Sequence, residues 1–509
     1  MRRFFGFFVS KPFTILFMIL AELGLLYYVV YTFSVRFVTL YNFLVVLSVI
    51  IVVYLINRND NPSYKLSWAV FILALPLFGG LTYLLFGGRK IPKALRAGMI
   101  RNNAKGEPIL KQDEAVLEEV VASDPAFERQ IHYILRNTGM PVYADTETTY
   151  FPIGEEKFKA MKEELLKATK FIFIEYFIIN TGFMWDSIEE ILKEKVKEGV
   201  DVRVIYDDGG SIRLPRKFLY RLRISGIKAY RFNPMSATLA IQMNNRDHRK
   251  ICVIDGKVGF VGGINLADEY INKKLRFGHW KDCAVMLRGE AVFSLTVMFL
   301  QFYHYLSKTT EDYQLYRADF SSDPIVSKGY VQPFTDSPTD DELVSETTHL
   351  NMINAARSYI YIMTPYLVIG HEMTQALIRA AKSGVDVKIM VPHIPDKWYV
   401  FAVTQSSYEE FTKNGVKIYE YKPGFLHSKV MVSDDKAAII GTSNLDFRSY
   451  YLHFECGILF TDHPVLREVK RDFVDTLQNC IEVTYEDCLK VNFFVKLGRA
   501  ILKLFSALL

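Results

Sequence analysis

The residues best suited to chemistry come in two matched sets. His248 is followed by Lys250 and, seven residues after the histidine, by Asp255; His427 is followed by Lys429 and Asp434 at the same offsets. The agreement continues downstream. Gly262 and Gly441 lie seven residues beyond the aspartates, and Asn265 and Asn444 lie ten beyond, within Gly262-Gly263-Ile-Asn and Gly441-Thr-Ser443-Asn. One H-x-K occurs by chance in many strands, but two copies with four matched offsets mark a duplication. The residues between histidine and aspartate are mostly apolar and β-branched, so each copy predicts a strand. Side chains two apart leave a strand on one face, so the His and Lys of each copy point the same way.

Two imidazoles and two ammonium groups brought together suit phosphoryl transfer. One neutral imidazole can attack phosphorus and carry the group covalently, while the other protonates the leaving alcohol and deprotonates the incoming one. The lysines would stabilise phosphate oxygens as charge builds, work otherwise done by a metal ion, each fixed donor lowering the barrier by ~3–4 kcal/mol. Asn265 and Asn444 offer amide donors for phosphate oxygens or for fixing the lysines. Gly262, Gly263 and Gly441, beside Ser443, allow close backbone approach. Asp255 and Asp434 have two readings: carboxylates that fix the tautomer and orientation of the imidazoles, or turn formers. The symmetric spacing does not say which histidine is the nucleophile.

These residues resemble the paired HKD motifs, H-x-K-x4-D-x6-G-x2-N, of the phospholipase D superfamily, and over nearly the whole chain the sequence resembles bacterial cardiolipin synthases. The resemblance implies an α/β fold: a tandem pair of phospholipase D-like α/β domains related by pseudo-twofold symmetry, preceded by transmembrane helices. It implies transphosphatidylation, two phosphatidylglycerol molecules giving cardiolipin and glycerol through a phosphatidyl-histidine, without metal or cofactor. It makes His248 the nucleophile and His427 the general acid. It also sets an acidic residue downstream of each copy against the opposite histidine, with Asp282 in HWKD and Glu455 in HFEC as candidates and a solvent-facing strand position as the alternative for each. His279 and His453, close to those acids, are packing residues first and pocket lining second. Alternatives that keep the mechanism are a phospholipase D-type hydrolase and transfer to another alcohol. A superfamily nuclease fits less well, because no basic, aromatic-studded stripe marks a nucleic-acid partner.

The elements that must position these groups form a larger repeat. Phe171-Ile-Phe-Ile-Glu-Tyr is matched by Tyr359-Ile-Tyr-Ile-Met, Gly199-Val-Asp-Val-Arg-Val by Gly384-Val-Asp-Val-Lys-Ile, and Gly226-Ile-Lys-Ala-Tyr by Gly415-Val-Lys-Ile-Tyr. Helix, glycine, strand is the grammar of α/β units. It predicts two domains over 138–310 and 325–480, each contributing half a site.

The rest of the chain points to a membrane. The chain has 509 residues, half of them hydrophobic, a net charge of +5, and five cysteines without metal-site or disulfide-framework spacing. Three apolar runs, 12–33, 40–56 and 66–86, fill residues 1–90. The first and third have the length of a span and the second is at the short end. Arg89, Lys90, Lys93, Arg96, Arg101 and Lys105 favour the cytoplasmic side. Arg2, Arg3 and Lys11 ask for the same side, which three full spans cannot satisfy. Residues 91–137 read as a basic connector. The tail, 488–509, carries Lys496, Arg499 and Lys503 at helical spacing on an otherwise apolar segment, suiting either a headgroup-region helix or one docked on the core. The partners expected are phospholipid and membrane, in a multi-pass cell-membrane protein. Oligomeric state leaves no mark in the sequence.

Overall fold

The structure is a computed structural model that describes residues 18, 20–28, 35–76, 78–87, 91–234 and 244–508. These fall into two compact units, one made of the described residues up to 87 with 501–508, the other of 91–234 with 244–500.

In the first unit, helix α1 (Val35–Ile56) takes up the second apolar run. Among the described residues it is the one helix long and apolar enough to cross a membrane, over Val38–Ile56. The third run does not form a single helix. It is divided between α2 (Pro62–Ala74) and α3 (Gly79–Phe86). Asn61 starts α2 by accepting the Ser63 N–H at 2.9 Å. Pro76 ends it, since proline has no N–H to donate, and the Pro76 carbonyl accepts the Ser48 hydroxyl of α1 at 3.2 Å. Gly79 then lets α3 fold back closely, because a Cβ there would lie 2.6 Å from the Ile72 Cα. At 1.5 Å per residue these helices of 13 and 8 residues fall short of the ~30 Å of hydrocarbon. Trp68 ties the unit together, edge-on to Phe71 at 5.8 Å and to Tyr83 at 5.2 Å. The first run and the amino-terminal basic cluster lie largely outside the described residues, as do Arg89 and Lys90.

In the second unit, each half builds one mixed sheet. The first contains β1 (Thr146–Phe151), β2 (Phe171–Tyr176), β3 (Asp201–Asp207), β4 (Lys228–Phe232), β5 (Lys250–Ile254), β6 (Val258–Gly262) and β7 (Ala284–Gly289). Their spatial order is β1-β7-β6-β5-β2-β3-β4. The second contains β8 (Tyr330–Asp336), β9 (Tyr359–Met363), β10 (Asp386–Pro392), β11 (Lys417–Tyr421), β12 (Val430–Ser433), β13 (Ala437–Gly441) and β14 (His453–Thr461). They run β8-β14-β13-β12-β9-β10-β11, and β15 (Cys480–Val483) is added at the β11 edge. Each strand from β8 to β14 holds the place of the strand seven earlier in the first sheet, and β15 has no counterpart there. The β2-β3-β4 and β9-β10-β11 pairings are parallel, and the others along each sheet are antiparallel.

The helices repeat as well. Helices α4 (Gly154–Lys167) and α5 (Phe183–Lys197) stand before and after β2, and α7 (Val344–Ala355) and α8 (His371–Lys382) stand before and after β9. Beyond the long strands, α6 (Val292–Ser307) follows β7 and α9 (Val465–Leu477) follows β14. Helix α6 is buried continuously from Val292 to His304, as its apolar, aromatic sequence requires. The motif strand β5 and its neighbour β2 are buried at every residue, so the motif side chains are mounted on the core of the sheet.

Residues 91–137, expected as a connector, are part of this unit. They fold as helices Lys93–Gly106, Glu114–Ser123 and Glu128–Thr138, whose Leu95, Met99, Val120, Ile131 and Ile134 join the core beneath the sheets. The tail forms α10 (Phe493–Leu504). Its charged side is the docked one: Lys496 pairs with Glu409 at 2.8 Å and Arg499 donates to Gln405 at 2.6 Å. Phe493 and Phe494 stay 70% and 77% exposed.

Candidate active site

The two motif copies meet because the halves are joined through their backbones where each histidine begins. Arg246–Asp247 pairs in parallel with His453–Phe454, and His279–Lys281 with Gly424–Leu426. The His248 N–H donates to the Phe454 carbonyl at 2.9 Å, and the His427 N–H to the Lys281 carbonyl at 2.6 Å. The next residue in each opposing strand is an acid. His248 Nδ1 lies 2.9 and 3.0 Å from the two Glu455 oxygens, and His427 Nδ1 lies 2.6 Å from Asp282 Oδ2. Each half therefore supplies an imidazole and holds the other half's imidazole with a carboxylate. A carboxylate on Nδ1 places that proton there and leaves Nε2 as the working atom.

Lys250 and Lys429 each donate to the carbonyl of their own histidine. Burial pushes both lysines down, Lys250 to about 7, with the nearby charge of Lys429 adding to the effect and Glu455 opposing it. Burial also keeps both imidazoles neutral. His427 falls to about 4, lowered further by Lys429 and raised by Asp282, and His248 falls well below its ordinary value against the pull of Glu455. Burial works against the Glu455 carboxylate, yet the His248 imidazole bonded to it holds it well below the usual range. The result is two buried amines of lowered proton affinity beside two imidazoles that burial also disfavours charging. A phosphodiester anion placed there would offset the lost solvation and draw protons onto these groups.

Other expected residues fall elsewhere. Asp255 and Asp434 do not orient the imidazoles. Asp255 accepts the N–H groups of Thr169, Lys170 and Phe171 at 2.8, 2.8 and 2.9 Å, and Asp434 those of Arg357, Ser358 and Tyr359 at 2.7, 2.9 and 2.8 Å. They clamp the chain entering β2 and β9, in left-handed turns with φ of 54° and 57°. The reason is reach: seven residues at ~3.3 Å each carry the aspartate to the far end of the strand. Asn265 is also engaged, accepting from Ile178 N at 3.0 Å and donating to the Tyr270 hydroxyl at 2.7 Å. Asn444 donates to Asp446 at 3.2 Å, and Ser443 meets Ser345 at 2.9 Å. The motif glycines make room. A Cβ on Gly262 would lie 2.5 Å from the Ala284 Cα, one on Gly441 2.7 Å from the Cys456 carbonyl, and one on Gly263 2.1 Å from Asp282 Oδ1.

Residues 161–277 and 349–477 match the family described as cardiolipin synthase, PLD-like domain, and residues 46–88 match the phospholipase D-nuclease N-terminal family. A cardiolipin synthase of Geobacillus kaustophilus is 35% identical over 488 residues, covering 92% of this chain and 94% of its own. The chain belongs to the cardiolipin synthase family. An uncharacterized protein of Streptococcus mutans is 44% identical over 465 residues, 90% of this chain and 99% of its own. Among solved structures, the phosphatidylserine synthase of Haemophilus influenzae shares the fold, with a TM-score of 0.56 at 15% identity over 75% of this chain and 97% of its own.

In this member of the family, several site residues carry no motif signal. Thr442, in the place of Gly263, gives its hydroxyl to Glu455 Oε2 at 2.5 Å. Phe177 and His453 flank His248, with ring centres 4.9 and 5.2 Å away. Tyr270, Trp280 and Phe425 surround His427 at 5.5, 5.4 and 5.7 Å. Trp280 and His453 share one trace in the sequence, each standing two residues before its half's acid.

Proposed function

We propose that the chain is a phosphatidyltransferase that makes cardiolipin from two phosphatidylglycerol molecules. His248 Nε2 attacks the phosphorus of the first lipid. The bond to the headgroup glycerol breaks, and protonated His427 gives that oxygen its proton. Neutral His427 then takes the proton from a headgroup hydroxyl of the second lipid. That oxygen attacks phosphorus, the P–N bond breaks, and His248 is restored as cardiolipin leaves. Lys250 and Lys429 hold the phosphate oxygens, and a pseudo-twofold arrangement of the halves brings the imidazoles to opposite sides of one phosphorus. The observation that carries this reading is the crossed pairing of each imidazole with the other half's carboxylate, which makes a site only when both motifs are present. Labelled phosphatidylglycerol should yield cardiolipin and glycerol on thin-layer analysis. Phosphatidic acid as the main product would overturn transfer in favour of hydrolysis.

The break at Pro76 leaves α2 and α3 too short to span, so α1 is the crossing among the described residues, and Lys93, Arg96, Arg101 and Lys105 beyond it favour a cytoplasmic catalytic unit. The exposed apolar side of α10 suits contact with the headgroup region. In intact cells, a membrane-impermeant maleimide should label Ser34→Cys, and Lys105→Cys only after permeabilisation. The reverse pattern would contradict this topology.

A further inference from the structure

The His248 half of the site contains an imidazole that the transfer reaction does not use. His453 is only 7% exposed, and among the described residues neither of its ring nitrogens has a hydrogen-bond partner. Its Nδ1 lies 3.6 Å from Glu455 Oε1, too long for a hydrogen bond, while His248 Nδ1 lies 2.9 Å from the same oxygen. One ligand atom from each of His248, His453 and Glu455 lies within 4.8 Å of the other two. Two imidazoles and a carboxylate are a donor set for zinc, which binds nitrogen and oxygen at ~2.0–2.2 Å. Ligand atoms around a tetrahedral ion stand about 3.3 Å apart, so closing this cluster takes a shift of roughly 1 Å by His453. Among the described residues the other half has no equivalent, because Trp280 stands where His453 would be and an indole offers no lone pair.

We propose that His248, His453 and Glu455 form a site for a divalent transition-metal ion of the zinc type, and that its occupancy switches the transferase off. The proton balance gives the reason. An ion bound at Nδ1 takes the place of the proton that His248 holds toward Glu455. A neutral imidazole then carries its proton on Nε2, the atom that must attack phosphorus, and has no free lone pair there. Inhibition follows without any need for the ion to block the lipid's path. The switch rests on His248 being the nucleophile, whereas the binding does not.

The test uses the full chain in mixed micelles of detergent and phosphatidylglycerol, stripped of metal with a chelator. Zinc titrated by calorimetry should bind at one ion per chain. Saturating zinc should cut the rate at least about tenfold, chelator should restore it, and His453→Asn should weaken binding by roughly 10- to 100-fold. A second measurement needs no variant: zinc should protect His248 and His453 together from diethylpyrocarbonate, mapped by mass spectrometry. No binding, equal binding by folded His453→Asn, or zinc binding that leaves both histidines unprotected would overturn the site. Binding there with an unchanged rate would overturn the switch. A phosphatidyl adduct on His427 instead of His248 would overturn the catalytic reading and leave the binding result standing.

Discussion

The His248 and His427 halves share a strand order, a motif and an imidazole–carboxylate bond, but they are surrounded differently. Around His248 the chain is charged. Arg249 is buried between Glu175 at 2.6 Å and Asp247 at 3.1 Å, and Arg246 meets Asp207 at 3.3 Å. The second motif has Phe425, Leu426 and Ser428 in the places of Arg246, Asp247 and Arg249. Glu455 receives the Thr442 hydroxyl as well as its imidazole, whereas Asp282 Oδ1 takes the Cys283 N–H at 2.8 Å and needs a glycine beside it. The imidazoles, the lysines, the opposed carboxylates and the aspartate clamps are all duplicated. The surroundings differ: buried ion pairs stand beside His248, whereas Tyr270, Trp280 and Phe425 surround His427.

The sharpest way to break the comparison is to neutralise the carboxylates. Asp282→Asn and Glu455→Gln should each lower kcat by about 10³–10⁴-fold, as expected when an imidazole loses the acceptor that sets its tautomer. Equal, near-native rates would show that the crossed pairing is only structural. A smaller effect separates the halves. Gly263→Ala forces Asp282 aside and should cost roughly 10²-fold, the scale of a 1 Å misplacement. Thr442→Val removes one donor from Glu455 and should cost about tenfold. Steady-state rates on the folded variants would check both, and the reverse ranking would contradict the packing argument.

How much of this was legible in the sequence depends on distance along the chain. The duplicated motif, the strands that carry it and the repeated helix–glycine–strand order are local patterns, and the strand faces followed from spacing alone. The pairing of His248 with Glu455 crosses 207 residues and that of His427 with Asp282 crosses 145, and only the resemblance pointed to it. Of the two readings of Asp255 and Asp434, the turn former matches the structure, because the strand that joins them to the imidazoles in sequence separates them in space. Asn265 and Asn444 looked free because nothing local shows that Ile178, Tyr270 and Asp446 take up their amides. The third apolar run has the length of a span, yet Pro76 lies inside it, between the two short helices into which it divides.

Stability gives a finer test. Burial lowers Lys250 from its ordinary 10.5 to about 7, so between those values the unfolded chain binds a proton that the folded chain does not. The cost of burying the charge is present below about pH 7 and disappears as pH rises toward 10.5. Lys250→Met should therefore be inactive yet melt higher than the parent at pH 7, with the gap closing at alkaline pH in calorimetric scans. A gap independent of pH would argue against a strained lysine. The smallest effect belongs to the strand clamps. Asp255→Ala and Asp434→Ala should each cost about 1–2 kcal/mol of stability, seen as a lower melting temperature, and should leave the pH–rate profile in place. A shifted profile would return these aspartates to the imidazoles.

A phosphatidyl group covalently held on His248 can be trapped and located. His427→Ala should be given a phosphatidyl ester of p-nitrophenol, whose leaving group needs no proton, and digested for mass spectrometry. The phosphatidyl group should appear on the peptide carrying His248, and the same treatment of His248→Ala should leave no adduct. An adduct on His427 in His248→Ala, or product formed with no adduct in either protein, would contradict the account.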